Sequence, residues 1–161
     1  MKTLILLLLL LQALFAQSYN FTELRYSDAL GQTAEFEGKI IFFSDALIIN
    51  YEKYERVLEY RDGKLLYLQN NEPQELAKEQ TQGIIEYFEI LLLLHKGDES
   101  SLESEFTLNK TKDKTLLIPR GALERFLLKI ELKKEAQTLK EVKLFLKNND
   151  TITIRVENEI R

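Results

Sequence analysis

The chain has 161 residues, 45% of them hydrophobic and 30% charged, with 22 basic against 26 acidic side chains and a net charge of −4. It has no cysteine, and His95 is its one histidine. These counts exclude thiolate chemistry, disulfides, lipidation at a cysteine, a His-based triad and a multi-histidine metal site. The absence of a basic block argues against nucleic acid as a partner.

Residues 1–16 read as an export signal. Met1-Lys2-Thr3 is a short charged start, Leu4 to Leu11 is unbroken aliphatic, and Gln12-Ala13-Leu14-Phe15-Ala16 leads into polar sequence. The apolar stretch falls short of the about 20 residues that span a bilayer, and its layout is that of a cleaved secretory signal. Cleavage is expected after Ala16, with Ser18 as the alternative. The rest, 17–161, is expected to form one domain large enough to build a core without disulfides.

Period-two alternation follows, which predicts strands. Phe36, Ile40 and Phe42 share one face of a strand, with Glu35, Glu37 and Lys39 on the other. Leu47 to Tyr51 and Arg56 to Tyr60 continue as short strands. Asp62-Gly63 predicts a two-residue type I′ turn, because both positions tolerate positive φ. That turn sets Tyr60 against Leu65 and Leu58 against Tyr67, gathering all four on one face.

Between 70 and 98 the alternation stops. Pro73 is expected to open a short helix through Gln80. Thr81 is expected to cap a second helix, Ile84 to Lys96, which Gly97 ends. That second helix is apolar almost all round, so it must be covered over most of its circumference. His95 near its C-terminus is expected to complement the helix dipole. Glu86 and Glu89 share one side, read as a solvated stripe rather than a metal site.

Strands return in the C-terminal part. Glu105 to Leu108 is expected to pair with Thr115 to Ile118. Phe126, Leu128, Ile130 and Leu132 alternate with Leu127, Lys129, Glu131 and Lys133, which places the first four inward. A three-residue turn at 148–150 matches the apolar faces of the last hairpin better than a two-residue turn does. The fold expected is mainly β, about nine or ten antiparallel strands with a helical insertion, in a strongly curved sheet or unclosed barrel. Six glycines are scattered singly, so no phosphate loop exists. No constellation of residues suggests an enzyme, a cofactor or a bound metal.

The pattern resembles the LolA family of outer-membrane lipoprotein carriers over roughly residues 20–161. The residues that carry it are Phe21-Thr22, Gly31-Gln32-Thr33 leading to Gly38-Lys39-Ile40-Ile41-Phe42, and Tyr51. Asp62-Gly63-Lys64-Leu65-Leu66-Tyr67, Leu117-Ile118-Pro119-Arg120 and the closing segment Leu144 to Glu157 complete it. The resemblance implies an unclosed β-barrel with a helical lid, in the periplasm of a Gram-negative bacterium. Its cavity would take lipoprotein acyl chains, or another lipid, from an inner-membrane ABC transporter to an outer-membrane acceptor, by a monomer touching membranes only transiently. Two features depart from the family: its Arg-Pro, whose arginine helps to hold the lid, is replaced here by Ser44-Asp45-Ala46, and strand-like sequence begins almost at Tyr19, where the family has an amphipathic helix.

The candidate lipid-binding residues are Phe36, Ile40, Phe42, Leu58, Tyr60, Leu65, Tyr67, Phe126, Leu128 and Ile130 on the sheet, with Phe88, Leu91 and Leu92 on the helix. Alternation reveals a buried face and says nothing of a void. The competing expectation is a fully packed interaction module that binds a protein through an edge strand.

Overall fold

The computed structural model describes residues 16–135 and 138–160, so the expected signal falls almost wholly outside the described residues. Eleven strands form one antiparallel sheet: β1 (Gln17–Ser27), β2 (Gln32–Phe42), β3 (Ala46–Tyr51), β4 (Arg56–Arg61), β5 (Lys64–Gln69), β6 (Glu72–Pro73), β7 (Phe106–Lys110), β8 (Lys114–Pro119), β9 (Leu127–Glu135), β10 (Thr138–Leu146) and β11 (Thr151–Ile160). Between β6 and β7 lie two helices, α1 (Lys78–Lys96) and α2 (Glu99–Glu105). The spatial order is β6-β5-β4-β3-β2-β1-β11-β10-β9-β8-β7, so β6 and β7 are free edges and the sheet is not closed into a barrel.

The β4–β5 hairpin has the expected register, with Tyr60 opposite Leu65 and Leu58 opposite Tyr67. Asp62 and Gly63 both hold positive φ, 50° and 73°, as a type I′ turn requires. At Gly38 the strands approach too closely for a side chain: an added Cβ would lie 2.3 Å from the Asn50 carbonyl oxygen. Side chains from both halves of the sheet join Phe88, Ile90, Leu91 and Leu94 of α1 in one core, so the sheet bends around the helix. Each such side chain taken out of water contributes about 1.5–3 kcal/mol.

Five local expectations need correction. Pro73 starts no helix: Asn70 and Asn71 both adopt left-handed backbone, φ 54° and 63°, and turn the chain so that Pro73 pairs with Leu68. A single helix then runs from Lys78, and Thr81 lies within its first turn, its hydroxyl donating to the Ala77 carbonyl at 3.1 Å. Gly97 ends it as expected, in left-handed conformation with its amide donating to the Leu93 carbonyl at 3.3 Å.

Leu128 faces outward, 42% exposed, while Leu127 and Ile130 are fully buried. The pairing with β10 slips there, Phe145 opposite Lys129 and Leu146 opposite Leu127, and such a bulge reverses which residues point inward. Phe126 precedes β9, at the end of a 3-10 turn over Gly121–Arg125. The last hairpin uses three loop residues, but at 147–149: Leu146 donates to the Asp150 carbonyl, and Asn149 supplies the positive φ. The inward face is as expected, while the partners become Leu144–Ile152 and Val142–Ile154.

Candidate functional site

Helix α1 divides the inner side of the sheet into three spaces. Beneath its C-terminal half is a small apolar cavity of about 80 Å³, bounded by Ile40, Phe42, Leu91, Leu94 and His95 among others. On one flank is a cavity of about 450 Å³, where Leu58, Tyr67, Ile84 and Phe88 meet Arg25 and Arg56. On the other, a cleft of about 800 Å³ runs between Ile90, Leu93 and Phe126, edged by Glu86, Glu89 and Glu105. Ligand pockets commonly measure about 300–1,000 Å³, so the small apolar space alone is undersized for an acyl chain while α1 is seated.

The candidate residues are distributed over these spaces rather than forming one wall. Ile40, Phe42 and Leu91 border the small cavity, and Leu58, Tyr67 and Phe88 the 450 Å³ cavity. Phe126 borders the cleft, while Ile130 is fully buried in the core. Leu65 and Leu92 are half-buried against that core. Phe36 packs edge-on against Tyr51, with ring centres 5.9 Å apart. Leu128, on the outer face, is removed from the set.

His95 lies in the last turn of α1, as expected, but its side chain is half-buried against the sheet rather than turned to solvent. Its ring stacks on Phe42 at 3.9 Å, and burial lowers its pKa from the usual 6.5, which favours the neutral imidazole.

The most unusual feature is a polar cluster on the inner face, which alternation did not single out. Glu23 is 0% exposed, on the same side of β1 as Phe21 and Arg25. Its carboxylate accepts from the Tyr51 hydroxyl at 2.6 Å, from the Tyr87 hydroxyl of α1 at 3.4 Å, and from Arg25 Nε. Arg25 Nη2 also donates to the Tyr51 hydroxyl at 3.1 Å. Burial works against the charge on Arg25, but the adjacent Glu23 outweighs it and pushes the guanidinium pKa up. Burial, followed by Glu23, raises both tyrosines well above the ordinary phenol range. A signal was present in the sequence: Glu23 and Arg25 have the same parity as Tyr19 and Phe21.

A second bond of the same kind lies near the middle of the helix. The Tyr60 hydroxyl donates to Glu89 at 2.8 Å, and burial together with that bond pushes Tyr60 up to about 12. Helix α1 is thus tied to the sheet by an apolar stripe and two tyrosine–carboxylate contacts. Those contacts are Tyr87–Glu23 and Tyr60–Glu89, and neither involves the Ser44–Ala46 turn. Among the described residues, no group of three or more His, Asp or Glu side chains could hold a metal ion.

No protein-family profile matches the sequence, and no curated protein matches it. Among solved structures, the chain is similar to a LolA superfamily protein from Nitrosomonas europaea, at 7% identity over 90% of this chain and 85% of that one, with a TM-score of 0.41.

Proposed function

We propose that the protein is a periplasmic lipid carrier. It would receive the acyl chains of lipoproteins, or of another lipid, between the inner face of its open sheet and helix α1, and carry them from inner to outer membrane. The observation that supports this most is the seating of α1: an apolar helix laid across an unclosed sheet, with cavities of about 450 and 800 Å³ beside it.

The energetics are compatible with exchange of helix for cargo. Exposing the four buried apolar side chains of α1 costs about 6–12 kcal/mol as an upper bound. A fourteen-methylene chain taken out of water contributes about 11 kcal/mol. The lid therefore stays down in water and yields when an acyl chain replaces it. An inner-membrane transporter as donor and an outer-membrane acceptor complete the proposal.

The small size of the apolar space beneath α1, about 80 Å³, favours a second reading, a packed module that binds a protein partner. One set of measurements separates the two. Native mass spectrometry of protein purified from periplasm should show co-purified acyl chains, and a fluorescent acyl probe should bind the wild type. Leu91→Glu, placing a charge at a position 4% exposed, should weaken probe binding while circular dichroism shows a folded chain. A wild type that retains no lipid and binds no probe refutes the carrier and leaves the interaction module.

A further inference from the structure

We propose that Arg25 and Arg56 recognise the anionic head of a single-chain amphiphile, a carboxylate or a phosphate, whose chain lies along Leu58, Ile84 and Phe88. This rests on the carrier reading and adds the charge class of the cargo.

Both arginines border the 450 Å³ cavity, as do the three apolar side chains. They flank a single tyrosine. Tyr51 accepts from Arg25 through its hydroxyl, and Arg56 is its register partner on β4, so all three share the inner face. Each guanidinium lies against an aromatic ring, Arg25 4.9 Å from the centre of Phe36 and Arg56 5.9 Å from that of Tyr67. Such cation–π contacts help to hold each side chain in place on the inner face.

The donors are not exhausted. Arg25 uses Nε and Nη2, and its Nη1 has no hydrogen-bond partner among the described residues. Arg56 uses only Nε, on Gln69 at 3.4 Å, which leaves both terminal nitrogens without one among those residues. Two acids bear on the site. Glu23 is occupied by Arg25 Nε and the two tyrosine hydroxyls, and Glu79 is exposed on the first turn of α1. Arg56 has the parity of Leu58 and Tyr60, whereas a cation with no ligand would be hydrated at least cost on the outer face. The remaining terminal nitrogens of two guanidinium groups suit the two or three oxygens of a carboxylate or phosphate.

The test is calorimetric titration of the full chain with decanoate, decyl phosphate and decanol, each below its micelle or solubility limit. Both anions should bind about tenfold or more tightly than decanol, and the difference should shrink with added salt. Arg56→Gln should abolish most of that difference and leave decanol binding unchanged. Arg56→Lys, which keeps the charge and loses the fork, should fall between the two. A preference between decanoate and decyl phosphate identifies the head. Decanol binding as tightly as the anions overturns the proposal alone, as does a loss in Arg56→Gln that is equal for all three probes. If no probe binds, the proposal fails together with the carrier reading.

Discussion

Replacing Arg25 with Met tests whether the buried polar cluster behaves as a unit. Glu23 is fully buried while the Arg25 side chain is 42% exposed, so the two ends of this pair are unequal. Removing one partner of a buried ion pair typically costs about 3–5 kcal/mol, because the other charge is left uncompensated. Glu23 would keep its tyrosine donors, Tyr51 at 2.6 Å and Tyr87 at 3.4 Å. Water already reaches the pair from the Arg25 side, so the expected loss is at the low end, about 3 kcal/mol. Glu23→Leu leaves an arginine that can rehydrate and a buried Tyr51 hydroxyl without its acceptor, for a loss of about 2 kcal/mol. The double variant carries only the tyrosine loss, about 2 kcal/mol rather than the sum of about 5. In urea, with a slope of about 2 kcal/mol/M, Arg25→Met should lower the midpoint by about 1.5 M and the double variant by about 1 M. Costs that simply add in the double variant would show that the two charges are not coupled.

Two further perturbations probe the framework. Gly38→Ala should destabilise by about 1–3 kcal/mol, since its Cβ meets the Asn50 backbone, and equilibrium denaturation should show this. For His95, the folded pKa lies below the unfolded 6.5, so the unfolded chain binds more protons in between. This contribution is complete above about pH 6.5 and is lost as pH falls through the folded value. The urea midpoint of the wild type should therefore drop between pH 7.5 and 5.5, and His95→Phe should flatten that drop; equal slopes would contradict it.

Legibility in the sequence followed the locality of the signal. Asp62-Gly63 declares its own backbone conformation, so the β4–β5 register could be read from two residues and the faces they align. Gly97 did the same for the end of α1. The Asn70-Asn71 turn uses equally local chemistry, but Pro73 drew the reading toward a helix start. Parity places Leu128 inward, and the bulge that turns it outward depends on how β9 slips against β10. The candidate residues were mostly found on the inner side of the sheet. Their division among separate spaces depends on where α1 lies, and periodicity carries no information about that. Glu23 and Arg25 were visible as polar residues with inward parity, but only the approach of Tyr51 and Tyr87 explains their placement.

The strand order has a consequence for how the molecule is made. Residues 17–73 and 106–160 are each a meander of neighbouring hairpins, and the two meet in the sheet only along β1 and β11, where Tyr26 pairs with Thr151. Each meander involves short loop closures, whereas this seam joins segments more than a hundred residues apart and so carries the entropic cost of the longest loop. Assembly would then resemble the docking of two half-sheets, with helix α1 as the hinge strap between them. The rate-limiting event would be the zipping of that central seam, so substitutions along β1 and β11 should slow refolding, while those in the outer hairpins should mainly speed unfolding.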